Sequence, residues 1–201
     1  NGVIIQKNQI VDNRGQGIWL KDASRNNAIT RNRIINNQNH GILVQGIGTV
    51  RNLIGMNTIS GNGGKGIALD SGGNEMQEAP VIEKVSWLGE NIWGRVSAPN
   101  GSVVEVYFDS DDEGSYMAGM GKVMYNRFHV AGGYDPTMNL HGIVIAPDGN
   151  TSEFGPADII PERNEILVFT VDQDGNRDIY YLGERNTPPI RLTRHPAADY
   201  L

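Results

Sequence analysis

Three short segments place side chains capable of chemistry at matched positions: "GIWLK" at 17–21, "GILVQ" at 41–45 and "GIALD" at 66–70. Strand alternation sends Ile18, Ile42 and Ile67 inward, together with Leu20, Val44 and Leu69. Two outward columns remain: Trp19, Leu43 and Ala68, and Lys21, Gln45 and Asp70. Glycoside hydrolysis requires two carboxylates at a defined separation. The columns supply one, Asp70, and Asp22 lies two coils away just past its strand, so both are expected to be solvated turn carboxylates. Trp19 stands above Leu43, where it either stacks on a sugar ring or lies under a neighbouring domain, packing against protein being the commoner use of an apolar patch. Trp19, Leu43, Lys21, Gln45 and Asp70 are therefore the candidate ligand-binding residues, with polysaccharide the candidate ligand.

Two acidic stretches could hold a cation. "DSDDEGS" gathers Asp109, Asp111, Asp112 and Glu113 within five residues, and mutual repulsion there favours a solvated loop or a bound Ca2+. "DQDGNRD" spaces Asp172, Asp174, Asn176 and Asp178 like the start of a calcium loop, but Arg177 stands where that loop needs Gly and Gly183 where it needs a bidentate Glu. A hairpin turn is the expectation there. His129, His141 and His195 are dispersed, and the chain has no cysteine, so thiolate chemistry and disulfides are excluded. No cofactor beyond that calcium is expected.

The elements that position these residues follow from an internal repeat. Four residues before Gly17, Gly41 and Gly66 stand Asn13, Asn37 and Asn62; nine before them stand Asn8, Asn32 and Asn57, each two residues ahead of an Ile. The spacings are 24 and 25 residues. Short β segments joined by Gly and Asn corners at this period predict a parallel β-solenoid with aliphatic columns inside. The Gly and Asn positions are expected to be left-handed corners, and the Asn amides to hydrogen-bond from coil to coil as a ladder. Residues 1–79 form this region, of about three coils.

"NRIINNQNHGILVQG" and "NTISGNGGKGIALDS" resemble the repeats of right-handed parallel β-helix proteins of the pectate-lyase-like superfamily over residues 3–72. The resemblance implies fold far more than activity, because the same coil serves lyases, hydrolases and surface proteins without chemistry. Lys21 lacks the calcium-binding acids that lyase chemistry in this superfamily places beside its base. His40 in "NHGI" is similar to a polygalacturonase element, but the accompanying acidic and basic motifs are missing and a corner role is expected.

From residue 80 the pattern becomes that of antiparallel strands: "ENIWGRVSAPNGSVVEVYFDSDD" runs Val103 to Phe108 between turns, and Ile143–Ala146 form a last strand before an Asp-Gly-Asn turn. Residues 80–157 resemble the Ig-like β-sandwich that follows β-helix repeats in bacterial secreted proteins. In 158–201, strands at Ile166–Val171 and Asp178–Leu182 flank "DQDGN", and the segment resembles one repeat of a TolB-type β-propeller. The fold class expected is all-β.

The three regions carry net charges of +3, −6 and −3, too small for a nucleic-acid footprint, and no apolar run is long enough for a membrane span. The first and last strands lack neighbours in the sequence, so the expected partners are the rest of a longer parent chain, other chains, or copies of this one joined through β-edges. The functional expectation is a non-enzymatic structural or adhesive module of a bacterial secreted or cell-surface protein. Two alternatives stand beside it: a piece of a polysaccharide-active or carbohydrate-binding protein, and a self-assembling subunit.

Overall fold

The structure is a computed structural model that describes residues 2–85, 90–111, 113–133, 135, 138–157, 167–173, 176–182 and 189–193. The chain forms two compact units, Asn1–Ile160 and Pro161–Leu201. Among the described residues the regular elements are all β-strands apart from a single 3-10 turn at Gly73–Met76.

Nine short strands open the first unit: β1 (Ile4–Gln6), β2 (Gln9–Val11), β3 (Ile18–Leu20), β4 (Ala28–Thr30), β5 (Arg33–Ile35), β6 (Ile42–Gln45), β7 (Leu53–Gly55), β8 (Thr58–Ser60) and β9 (Ile67–Asp70). They make three parallel sheets, β1-β4-β7, β2-β5-β8 and β3-β6-β9, each taking one strand from each coil. The repeat of 24 to 25 residues is therefore one turn of a parallel β-helix. Register stacks Ile5, Ile29 and Ile54 in one column, Ile10, Ile34 and Ile59 in the next, and Ile18, Ile42 and Ile67 in the third. These isoleucines are the helix core. β-branched side chains suit it because each packs flat on its copy one coil away.

The corners differ from the expectation in an instructive way. Asn8, Asn13, Asn32, Asn37, Asn57 and Asn62 are not left-handed; the residue immediately before each of them is. Lys7, Arg31 and Met56 have φ of 58°, 54° and 54°, and Asp12, Asn36 and Gly61 have φ of 57°, 57° and 64°. The left-handed residue swings the chain around the corner so that the next side chain, the Asn, points inward along the backbone of its neighbours. Gly17, Gly41 and Gly66 serve a third purpose, since none has a positive φ. A Cβ on Gly41 would lie 2.6 Å from the Gly66 carbonyl oxygen and 3.0 Å from Asn62 Nδ2, so glycine is required there for room beside the ladder.

Asparagine side chains hydrogen-bond from coil to coil. Asn8 Nδ2 donates to Asn32 Oδ1 and Asn32 Nδ2 to Asn57 Oδ1, both at 3.1 Å; Asn13, Asn37 and Asn62 repeat the pattern at 2.7 and 2.8 Å. A third ladder, Asn27 to Asn52 at 2.8 Å, continues to Asn74, whose Oδ1 accepts the Asn52 N–H at 3.1 Å.

The chain then builds β10 (Val81–Val85), β11 (Asn91–Arg95), β12 (Val103–Asp109), β13 (Tyr116–Lys122), β14 (Arg127–Ala131), β15 (Asn139–Ile145) and β16 (Gly155–Pro156). Antiparallel sheets β10-β11-β14 and β13-β12-β15-β16 face each other across Ile82, Ile92, Val104, Val106, Phe128, Val130, Leu140 and Val144. β12 is buried on both faces. Val104 and Val106 point into this sandwich, while Tyr107, with Ile143 of β15, joins the core of the β-helix. The four-stranded sheet is thus one wall of the sandwich and, on its other face, a lid on the last coil.

The second unit contains β17 (Leu167–Gln173), β18 (Asn176–Leu182) and β19 (Ile190–Arg191) in one antiparallel sheet. The hairpin pairs from Leu167 with Leu182 to Gln173 with Asn176; Asp174 and Gly175 lie outside the described residues. Asp178 is buried and accepts hydrogen bonds from Arg191 and from Thr193 Oγ1, while Thr193 Oγ1 accepts the Ile179 N–H at 2.9 Å. Asp178→Ala removes the anchor of β19 and leaves Arg191 without its carboxylate, a loss of about 2 kcal/mol. Amide exchange at Leu192, which donates to the Ile179 carbonyl, should accelerate by more than roughly tenfold, with exchange in β6 unchanged. Equal acceleration in both would place the effect elsewhere.

Candidate functional site

Trp19 is 48% exposed, and the Lys21 ammonium sits 4.5 Å from its ring centroid. Lys21 Nζ also lies 3.7 Å from the Asp22 carboxylate. Below Trp19 in register, Leu43 and Ala68 are buried. The outward apolar column is therefore open only at its Trp19 end, in the first coil, away from the third coil on which the sandwich sits.

In the other column, Gln45 Nε2 donates to Asp70 Oδ2 at 2.7 Å and Ser71 Oγ to Asp70 Oδ1 at 3.0 Å. These hydrogen bonds, that from Gln45 foremost, hold the Asp70 carboxyl below its ordinary range. An exposed carboxylate kept ionised in this way has no proton to give near neutral pH and is a weak base. No second carboxylate stands at Asp70's side in the column, and Asp22 is held at its own left-handed corner, φ 55°. His40 Nδ1 accepts the Lys65 N–H at 2.9 Å, a coil-to-coil bond of the kind its corner position suggests.

The polar side chains with the most demanding environments lie at the other end of the β-helix. Within the helix, corner N–H groups donate to a main-chain carbonyl of the following coil: Lys7 to Thr30, Asp12 to Ile35, Asn26 to Val50 and Asn36 to Ser60. The third coil has no following coil, and its corner donors go to side chains instead. Met56 N–H donates to Glu105 Oε2 at 2.7 Å, Gly61 N–H to Asp111 Oδ2 at 2.8 Å, and Arg51 N–H to Asn150 Oδ1 at 2.6 Å. Ile54 N–H meets Thr151 Oγ1 at 2.9 Å and Leu69 N–H meets Glu153 Oε1 at 2.8 Å. Asn62 donates through its N–H at 3.2 Å and its Nδ2 at 3.1 Å to the Glu113 carboxyl, so Glu113 takes the place of the next ladder asparagine. Unpaired buried N–H groups are costly, and this row of oxygens from the sandwich satisfies them. Tyr107 and Phe154, edge to face with centroids 5.6 Å apart, close the apolar centre.

Burial, the main cause, raises the Glu105 carboxyl above its ordinary range despite the Met56 N–H and the Tyr107 hydroxyl, which donates to it at 2.5 Å. Burial likewise pushes Glu113 up to about 7, with the charges of Asp111 and Asp109 adding to the rise and the Asn62 donors opposing it. Burial would also raise Asp109, but hydrogen bonds from His141 and from the Ser115 and Asp111 N–H groups outweigh it and hold Asp109 low. Its Oδ1 lies 3.4 Å from His141 Nε2.

The acidic stretch is thus distributed rather than convergent. Asp109 turns in toward His141, Asp111 and Glu113 turn toward the β-helix, and Asp112 lies outside the described residues. Among the described residues no group of three or more His, Asp or Glu side chains is disposed to hold a metal ion.

Sequence reasoning missed the third ladder and the capping residues Glu105, Asn150, Thr151 and Glu153. The ladder had a signal: Asn27 and Asn52 each stand two residues before an Ile, as Asn8, Asn32 and Asn57 do. Glu105 stands between Val104 and Val106, on the face of β12 that turns away from the sandwich core and carries the aromatic Tyr107, and a carboxyl beside an aromatic on that face was the signal for the cap.

Residues 1–80 match the family model of the right-handed β-helix region. Comparison with curated proteins gave no match, and comparison with solved structures gave none either.

Proposed function

We propose that the chain is a non-enzymatic structural and adhesive module of an extracellular bacterial protein, in which the β-helix repeat is a stiff rod and the sandwich is its end piece. The observation that carries this reading is how the polar side chains are used. The asparagines of the coils and the carboxylates of the cap are spent on backbone N–H groups, while the outward Asp70 stands on Gln45 and Ser71 without an acid partner. Such a surface binds or supports; it offers no proton relay to a glycosidic oxygen. The finer likenesses, an Ig-like sandwich and a propeller-like repeat in 158–201, agree with this setting, since both serve as connectors and recognition surfaces.

The test is turnover by the full chain on a panel of neutral and acidic polysaccharides, read as new reducing ends and as unsaturated products, beside Asp70→Asn and Lys21→Ala. The expected result is no release above the no-protein control for any of the three. Release that the wild type shows and Asp70→Asn loses would overturn the proposal in favour of a polysaccharide-active enzyme.

A further inference from the structure

The outer side of one corner of the β-helix forms a groove of about 400 Å³ that the candidate columns do not touch. One wall is Lys7, Arg31 and Met56, the left-handed residues of three successive coils; the other is Gln9, Arg33 and Thr58. Asn8 and Asn32 floor it between the walls, with their amides engaged in the ladder. The lining holds three cations and no carboxylate. Lys7, Arg31 and Arg33 are exposed, and none of them forms an ion pair among the described residues.

The spacing of these charges defines the ligand. Adjacent coils are about 4.8 Å apart, and Arg31 and Arg33, two residues apart on one coil, have Cα atoms at most about 7 Å from each other. Three positive charges thus converge on a patch about the size of one sugar. Guanidinium groups pair bidentately with tetrahedral oxyanions and with carboxylates, but a polymer with a single charge on each sugar would leave part of this cluster unmatched. The groove wall has no aromatic face for a base to stack on, which disfavours a nucleic acid. The apolar contribution is Met56 alone, too little to enter a bilayer. The whole chain carries a net charge of −6, so long-range attraction does not draw polyanions to it, and recognition has to be local and dense.

We propose that this corner groove binds a sulfated polysaccharide, with Arg31, Arg33 and Lys7 holding neighbouring sulfate groups and Gln9, Asn8 and Thr58 facing the sugar hydroxyls. The proposal gives the adhesive reading above a ligand and rests on that reading for its setting, but binding is measured separately from turnover, so either can fail alone.

The experiment is calorimetric titration of the full chain with a heparin oligosaccharide, at low and at near-physiological salt, beside hyaluronan, which carries carboxylates without sulfate, and beside anionic lipid vesicles. Two variants accompany the wild type. Arg31→Asn with Arg33→Gln removes two charges while keeping residues suited to the left-handed corner and to the position Gln9 occupies one coil earlier; Lys122→Ala removes a charge on the sandwich. The expected result is heparin binding that weakens at least tenfold in the double variant, with a shallower dependence on salt, and does not change in Lys122→Ala. Hyaluronan or vesicles binding as tightly as heparin, equal weakening in Lys122→Ala, or no heparin binding at low salt would each overturn it. Circular dichroism of the double variant matching the wild type excludes loss of fold as the cause, and a mismatch is answered by Lys7→Gln, which leaves both arginine positions untouched and is expected to weaken heparin binding severalfold.

Discussion

Asn32→Ala is expected to lower the stability of the first unit by about 3 kcal/mol, and Asn8→Ala by no more than about 1 kcal/mol. The two residues occupy the same position of consecutive coils, so the contrast isolates the ladder from the corner. Asn32 is 2% exposed and works in four directions at once. Its Oδ1 accepts the Asn8 N–H at 3.0 Å and Asn8 Nδ2 at 3.1 Å, while its Nδ2 donates to the Ile5 carbonyl at 2.9 Å and to Asn57 Oδ1 at 3.1 Å. Alanine fills none of this, and at the buried Asn57 the oxygen left behind has no water to turn to. Asn8, on the exposed first coil, gives up only the hydrogen bonds of its own Nδ2, to Asn32 Oδ1 and the Gln6 carbonyl. Thermal unfolding should show the Asn32 variant melting about 10 °C lower. Asn32→Asp provides a second check, because it keeps the acceptor and the shape but loses both donors and buries a charge; it should cost at least as much as alanine. Equal losses at positions 8 and 32, or an Asp variant as stable as the wild type, would mean that the ladder contributes little and that the isoleucine columns alone hold the coils together.

The coils were legible in the sequence because a solenoid repeats its solution. Ile34 and Ile59, or Asn37 and Asn62, occupy equivalent environments in different coils, so the same physical demand writes the same residue every 24 or 25 positions. What repeats without identity was not legible. The left-handed position before each ladder asparagine is filled by Lys7, Arg31 and Met56 in one column and by Asp12, Asn36 and Gly61 in another, since any residue that tolerates the strain suffices and its side chain leaves the helix. Assigning that conformation to the asparagines themselves was wrong for this reason: the recurring residue marks the hydrogen bond, and its variable neighbour makes the turn. The cap was still less visible, because it is used once. Glu105 is distant from Met56 in sequence and adjacent to it only after β12 has laid one face on the third coil. In the sequence the "DSDDEGS" stretch reads as a charge cluster, and the role of Asp111 and Glu113 on the Gly61 and Asn62 donors depends on which coil ends the helix.

That end should make the protein more stable in mild acid than at alkaline pH, opposite to the usual carboxylate effect. Glu113 has an ordinary value of 4.5 and is pushed up to about 7 in the folded chain. The folded state therefore holds a proton between those values that the unfolded state has released, and stability falls as pH rises through this window. The contribution is fully present below about 4.5 and lost above about 7, and a shift of this size corresponds to roughly 3 kcal/mol. Glu105, also raised, acts in the same direction. Asp109 and Asp70 are lowered; both are already ionised in the window, and their contributions are lost only as pH falls through the acid range below it. The melting temperature of the first unit should accordingly peak near pH 5 and decline toward pH 8. Glu113→Gln decides the cause. An amide is what the ladder already carries at Asn37 and Asn62, so glutamine can accept from Asn62 without the charge that Asp111 and Asp109 repel. The variant should match the wild type near pH 5, exceed it by about 3 kcal/mol at pH 8, and lose most of the slope between them. A wild-type profile that rises from pH 5 to 8, or a slope that survives in Glu113→Gln, would show that the carboxyl at the end of this ladder stays ionised and that the β-helix is closed by a charged cap.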